Sequence, residues 1–416
     1  MPVRRSMSLA LLLVVTVAAA SRAETNWPRF RGPQGTGQTD ESALPVEFGP
    51  QDVAWKTTLP GRGQSSPVLW GDKMFLTIAS DDGAQREVVC LDRNDGQINW
   101  RSEAPWSGES EGLHKMNTYA SATCATDGQR VVAFFGRGGL HCYDMDGKRL
   151  WSRDLGPFAG PWGTAASPVI IGDLVIQNCD AENDAFLLGV NKQTGETVWS
   201  TPRPKLRGWC TPVLIETGDR QELVINGEEG VNAYDPVTGK DLWFCRGDTG
   251  RGTPSVAPYG DLIVSVNGRP GDMIAVRPGG SGTVNESREV WRVSRRSGRD
   301  LPSPIVVGDR LFVMNMKGIG TLYEAATGKE IATERIGGNY SASPIAAEGL
   351  IYLPSEEGEV VVLRPGADSL EIVARNAVGA GDEEIFRASL AASEGQLFCR
   401  SDNVVYCIGK RRSAAE

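Results

Sequence analysis

The sequence predicts an all-β chain, an eight-bladed β-propeller of four-stranded antiparallel blades, and three observations carry that prediction. First, a tryptophan recurs: Trp100, Trp151, Trp199, Trp243 and Trp291 follow one another at intervals of 51, 48, 44 and 48 residues. Second, a Ser-Pro or Thr-Pro step stands before the first β-rich run of most units. Third, no window of comparable length carries a convincing helical period, whereas short β-rich runs bounded by turn residues recur throughout. A period of this length with four strands per unit indicates radial repetition that protects the sheet edges.

The elements of one unit follow in order. The steps Ser66-Pro67, Ser167-Pro168, Thr211-Pro212, Thr253-Pro254, Ser303-Pro304 and Ser343-Pro344 open the first strand of their units. Ala122-Thr123 and Ser389-Leu390 stand at the two expected places that lack proline. A Gly-Asp turn comes next, as at Gly71-Asp72 and Gly172-Asp173, and leads into the second strand. The turn between the third and fourth strands opens with Asp or Asn, which caps its own backbone, and ends near a Gly suited to the left-handed conformation of tight hairpins. Each clear copy of this turn places its Gly four residues before its Trp. Eleven residues run from Cys90 to Trp100, from Gly189 to Trp199 and from Ala233 to Trp243, so a small residue opens each copy and an indole closes it. The large ring is expected to lie over the small position, with Trp55, Trp100, Trp151, Trp199, Trp243 and Trp291 as the structural tryptophans. Cys142 and Cys407 fill the small position in their own units.

Counting first strands gives units beginning near 65, 121, 166, 210, 252, 302, 342 and 388. Little follows Cys407-Ile408, so the last unit lacks its fourth strand, and Val53-Ala54-Trp55-Lys56 is a fourth strand without a unit. The chain is expected to close by pairing residues 53 to 57 with roughly 403 to 408. The expected organisation is a signal peptide over 1–23, an N-terminal extension over 24–52, the propeller over 53–409 and a tail over 410–416.

The first segment reads as an export signal. Arg4 and Arg5 precede an apolar run from Leu9 to Ala20, and Ser21-Arg22-Ala23 offers small residues for cleavage near Ala23. The run is shorter than the roughly 20 residues that span a bilayer, so no transmembrane segment is expected. The protein is expected in the periplasm or outside the cell. The first cysteine is Cys90, so no lipid anchor just after the signal is expected either.

Composition narrows the chemistry. The chain has 416 residues, 40% of them hydrophobic, and a formal net charge of −9. Removing the signal takes away three arginines and no acid, which argues against nucleic acid or anionic lipid as partner. His114 and His141 are the two histidines, so a three-histidine zinc site is excluded and a triad base would have to be one of them. No metal site is expected. Eight cysteines in an exported chain permit disulfides, yet Cys90, Cys142 and Cys407 share the position where Gly189 and Ala233 also occur. Buried free thiols acting as small apolar groups are the preferred reading, with Cys399 and Cys407 the best candidate pair otherwise.

The theme small-x-Asp-x-x-Thr-Gly-x-x-x-Trp, clearest from Ala233 to Trp243, resembles the tryptophan-docking repeat of pyrroloquinoline quinone (PQQ)-type propellers. That superfamily includes quinoprotein alcohol dehydrogenases and BamB, the propeller of the outer-membrane barrel-assembly machinery. The resemblance covers about residues 53 to 409. No Trp-Asp dipeptide occurs, which disfavours WD40 repeats. The opening Asn26-Trp27-Pro28-Arg29-Phe30-Arg31-Gly32-Pro33 looks like the start of many exported proteins of this repeat class and suggests no chemistry. Quinoprotein dehydrogenases are expected to show an adjacent cysteine pair over the cofactor, and many carry a Cys-x-x-Cys-His haem motif; neither occurs here.

The expected function is therefore an exported, non-catalytic binding or scaffolding propeller without a cofactor. It would be a monomer working with a protein or glycan partner in the cell envelope. The alternatives are a PQQ- and calcium-dependent dehydrogenase with an atypical site, and a glycan-binding propeller. Residues entering the first strands at matching offsets, namely Gln64, Tyr119, Thr164, Trp209, Arg251, Asp300, Tyr340 and Arg387, are expected to ring the mouth of the central channel. Aromatic faces with two arginines could hold a planar acid, a sugar or a peptide strand. The acidic turn Asp180-Ala181-Glu182-Asn183-Asp184 fits no calcium loop and reads as solvated, as do Glu228-Glu229 and Glu356-Glu357. The connection from Ala104 to Thr118 exceeds the usual loop length, which suits either function or disorder.

Overall fold

The computed structural model describes residues 26–411 apart from 109, 159, 249 and 296–298. The expected signal peptide and the end of the expected tail lie outside the described residues. Eight antiparallel sheets stand around one channel. In the first, Val68–Trp70, Lys73–Ala79, Arg86–Asp92 and Ile98–Glu103 pair in chain order from the channel outward. Six further blades repeat this order, their innermost strands beginning at Ala125, Val169, Val213, Ala257, Ile305 and Ile345. In the eighth, Ala391–Ser393, Gln396–Arg400 and Val404–Ile408 take Val53–Thr58 as the outermost strand, with Trp55 opposite Cys407 and Thr58 opposite Val404. The two ends of the propeller thus share one sheet. The fourth blade gains a short fifth strand, Gly282–Thr283, which runs parallel to its outermost strand.

Burial follows position in the blade. Second strands are packed on both faces by neighbouring blades, and Leu262–Val266 and Gln396–Arg400 are buried at every residue. Outermost strands meet solvent on one face, so Glu289–Arg295 alternates between half-buried and exposed residues.

The tryptophans latch one blade to the next. Trp100, Trp199 and Trp243 stand opposite Cys90, Gly189 and Ala233 on their own sheets, as the spacing predicts, and Trp291 stands opposite Ala275, which the spacing does not reach. Each ring also reaches across the blade interface. Trp100 covers Gly147 and Trp151 covers Gly195, turn glycines of the following blade at φ +86° and +75°. A Cβ at either would lie 2.6 and 2.8 Å from the ring. Only glycine satisfies both the turn and the contact. The indole N–H groups of Trp55, Trp100, Trp151 and Trp291 then donate to carbonyls of Arg93, Met145, Lys192 and Ala325 in those turns. Trp243 departs from this pattern because the fifth blade replaces the short turn with the 277–288 segment. Its N–H donates instead to the buried Glu222, at 2.6 Å.

At the channel a ring of hydroxyls joins all eight blades. The residue two before each innermost strand is Ser or Thr, and backbone N–H of one donates to the side-chain oxygen of the next. Ser66 donates to Thr123 (2.9 Å), Thr123 to Ser167 (3.0 Å) and Ser167 to Thr211 (3.0 Å). Ser255 returns its hydroxyl to the Thr211 carbonyl (2.9 Å). The chain then runs from Ser255 through Ser303, Ser343 and Ser389 back to Ser66, at 2.9 to 3.1 Å per step. The Ser-Pro steps are thus more than strand starts. In the fifth blade the ring residue is Ser255 and not Thr253, so the Thr253-Pro254 step lies two residues out of register with the others.

The N-terminal extension crosses the far end of the channel. Trp27, wholly buried, exchanges backbone hydrogen bonds with Leu69 of the first blade. Arg31, also wholly buried, donates to the Pro304 carbonyl of the sixth (2.7 Å), and Ala346 of the seventh donates to the Gly37 carbonyl. Phe30 faces the channel interior. The motif that suggested no chemistry therefore forms a floor.

All eight cysteines are buried free thiols. Cys407 stands opposite Phe398 and Cys399 opposite Tyr406. Adjacent residues point to opposite faces of a sheet, so Cys399 and Cys407 lie on opposite faces and cannot bridge.

Two measurements test this packing. Trp55→Ala removes the ring that latches the closing strand to the first blade, and urea unfolding should show a loss of about 3–5 kcal/mol; a loss under about 1 kcal/mol would separate closure from the indole. His141 is buried, with Nε2 2.7 Å from the Gly138 carbonyl and Nδ1 2.9 Å from Ser152 Oγ. Burial pushes its pKa down to about 4. Its contribution is fully present above the unfolded value of roughly 6.5 and is lost as pH falls toward 4, so moving from pH 7 to 4.5 should cost about 2 kcal/mol. The same acidification of His141→Gln should cost correspondingly less. Equal losses in the two proteins would contradict the assignment.

Candidate functional site

The channel between the floor and the opposite opening is a cup of about 220 Å³. Its lower wall is the hydroxyl ring. The tier above comes from residues two positions earlier, because extended backbone returns to the same face every second residue. Gln64, Trp209, Thr253 and Arg387 form half of this tier, and Ser121, Ala165, Leu301 and Ser341 the other half.

Of the residues expected at the mouth, Gln64, Trp209, Arg251 and Arg387 line the cup. Tyr119, Thr164, Asp300 and Tyr340 do not. Thr164, Asp300 and Tyr340 precede their ring residues by three positions, an odd offset that turns them away from the channel. Asp300 is buried in an ion pair with Arg295, and Tyr340 is wholly buried in the core between the sixth and seventh blades. Tyr119 lies four positions before Thr123 and is drawn aside. Its ring packs against the Arg86 guanidinium at 4.9 Å, and its hydroxyl donates to the Glu111 carbonyl at 3.1 Å.

Segments outside the repeat supply the rest. The long 104–118 connection brings His114, Met116 and Asn117 to the cup, and is itself anchored by the buried Arg86–Glu111 pair at 2.7 Å. Trp162, Arg299 and Met316 come from other inter-blade segments and turns. None of these follows from the repeat, although the unusual length of 104–118 pointed to one of them.

Charge is concentrated at the mouth. The Arg251 guanidinium lies 4.9 Å from the centre of the Trp162 ring and 5.9 Å from that of Trp209, a stacked arrangement that suits a planar cation. Arg207 sits over Trp162 as well, at 5.0 Å, and the His114 ring lies 5.5 Å from it. Burial, then the charges of Arg269, Arg207 and Arg299, lower the Arg251 pKa to about 10, which leaves it protonated at neutral pH. Burial and the nearby Arg299, Lys115, Arg251 and Arg387 hold His114 below its usual range, so it is neutral there. Arg387 pairs with Glu356 at 3.3 Å behind the wall.

The acidic turns stand outside the cup and brace its rim. Asp180 takes two hydrogen bonds from Arg203, at 2.6 and 3.1 Å, and Glu182 pairs with Arg207. Glu228 accepts from the Arg207 N–H at 3.0 Å, Glu356 accepts from Ser341, and Glu357 accepts from the Asn339 amide at 2.7 Å. These carboxylates are committed to arginine, hydroxyl and amide donors and do more than solvate their face.

The residues present do not fit PQQ with calcium. Calcium takes oxygen ligands, with carboxylates prominent, and no Asp or Glu lines the cup among the described residues. A divalent cation there would instead meet Arg251, Arg299 and Arg387.

The family model described as outer membrane protein assembly factor BamB matches residues 50–157, 84–271 and 279–368. A protein named outer membrane protein assembly factor BamB from Burkholderia pseudomallei is 21% identical over 357 residues, which cover 73% of this chain and 85% of that protein. Among solved structures, BamB from Moraxella catarrhalis matches with a TM-score of 0.59 and 17% identity, over 87% of this chain and 98% of that one. The quinohemoprotein alcohol dehydrogenase ADHIIG from Pseudomonas putida HK5 matches with a TM-score of 0.61 and 10% identity, over 94% of this chain and 82% of that one. Likenesses of that depth to both proteins report the shared propeller alone, whereas the family match extends through most of the blades: the chain belongs to the BamB family of PQQ-like β-propellers.

Proposed function

We propose that this protein is an exported, non-catalytic propeller that binds and scaffolds other proteins in the cell envelope, working in the periplasm or outside the cell after cleavage near Ala23. The observation that carries this reading is the family match over most of the blades, in a relative whose name describes assembly of outer membrane proteins. The site chemistry agrees with it. A cation-rich cup without lining carboxylates suits recognition of an anionic group and not the placement of calcium beside a quinone. Stacked sugar recognition draws less support, since Arg251 and Arg207 already cover the faces that Trp162 would offer.

Two assays test the proposal. Crosslinking in intact cells followed by purification should recover a protein of the outer-membrane assembly machinery together with this chain. Purified protein supplied with PQQ and calcium should show no sustained dye-linked oxidation of alcohols or sugars. Sustained turnover, or crosslinking that recovers no envelope protein, would overturn the reading.

A further inference from the structure

The cup has a one-sided hydrogen-bond chemistry. No carboxylate lines it among the described residues, although the chain carries 52 Asp and Glu against 43 Lys and Arg. Arg251 is 7% exposed, yet its side chain makes no hydrogen bond or ion pair among the described residues, and one terminal nitrogen is buried without any partner. Two indoles position it, and no carboxylate pairs with it directly among the described residues. Leaving such a group unpaired is costly, so the arrangement is suited to an acceptor that arrives from outside. Gln64 Nε2 and Arg387 Nε, both on residues lining the cup, are likewise buried without acceptors.

The lower wall adds more donors. In seven of the eight ring residues the side-chain oxygen accepts a neighbouring backbone N–H. A hydroxyl that accepts still has its own proton to donate, and none of the seven donates to another protein group among the described residues. The apolar part of the lining comes from Phe30 at the bottom and from Met116, Leu301, Met316 and the two indoles. A volume of about 220 Å³ is the scale of one small ring or one side chain, since an apolar cavity of about 150 Å³ takes up benzene. The far end is closed by the extension, so a ligand enters and leaves through the mouth.

We propose that the cup is a one-ended receptor for a carboxylate carried on an apolar body about one residue in size. The carboxylate lies against Arg251, where the planar fork of a guanidinium matches two oxygens, and the body lies between the indoles and Phe30. The carboxylate belongs either to a free small acid or to the C-terminus of a polypeptide. This inference deepens the reading of the propeller as a binding module and names what one of its sites would take.

Calorimetric titration of the full chain tests it with four probes: benzoate, N-acetylphenylalanine, N-acetylphenylalaninamide and inorganic phosphate. The proposal expects saturable binding of at least one of the two carboxylates and none of the amide. It also expects Arg251→Gln to weaken that binding about tenfold or more, with recovery in part by Arg251→Lys. Benzoate binding alone assigns a free acid, and tighter binding of N-acetylphenylalanine assigns a chain terminus; both support the proposal. Thermal melting shows whether the variants fold, and Arg387→Gln, which touches the cup from another blade, gives a second and weaker reduction should Arg251→Gln fail to fold. Absence of carboxylate binding at about 10 mM, equal binding of the amide, or binding of phosphate alone would overturn it. Crosslinking to an envelope protein that survives in Arg251→Gln would leave the scaffolding role standing while this site is refuted by the titration, so the two failures are distinguishable.

Discussion

Closure of a circle is the constraint on which the rest of this molecule depends. A four-stranded blade is too thin to bury its own faces, so each must be covered by two neighbours, and a row with ends would leave two blades half covered. The structure removes the ends twice over. On the outside, Val53–Thr58 supplies the strand that the eighth blade lacks, and Trp55 passes the latch from that blade to the first. On the inside, the hydroxyl ring runs through all eight blades and returns to Ser66. Each link is worth only about 1 kcal/mol, but seven of the eight also satisfy a backbone N–H, and the eighth the Thr211 carbonyl, that would otherwise be buried without a partner.

The same repetition explains how much of the fold was legible. Turn glycines, indoles and small partners recur because each blade must solve one packing problem, and a solution repeated this often is visible in a single sequence. Blade count, strand order, closure by the strand at Trp55 and the seating of indoles on small residues were all readable. The contact of the tryptophans with the following blade's glycine turn was not, since the repeat relates residues within a unit and this contact joins two. Register was the other weak point. The Thr253-Pro254 step imitates the strand-opening motif two residues early, and only the ring identifies Ser255 as its true counterpart.

Recognition requires that symmetry be broken, and here the breaking comes from segments the repeat does not describe. A ring of eight equivalent hydroxyls offers the same surface in every direction. His114 and Trp162 from inter-blade segments, with Arg251 pinned against the second of these, give the mouth one distinguishable side. The opening Trp27-Pro28-Arg29-Phe30-Arg31 segment gives the channel a bottom, turning a pore into a cup. Half of the residues placed at the mouth from sequence do line it; of the other four, Thr164, Asp300 and Tyr340 stand an odd number of positions from the ring residue, and Tyr119 is held aside by Arg86. A period of two decides which side of a strand a residue faces, and an offset error of one residue reverses the answer.

Native-state hydrogen exchange of the seven ring N–H groups tests the closed circle most directly. The account predicts that the amides of Ser66, Thr123, Ser167, Ser255, Ser303, Ser343 and Ser389 exchange at one common free energy equal to that of global unfolding. Faster exchange at Ser66 and Ser389 than at Ser255, the fraying expected of an open row with free ends, would contradict it.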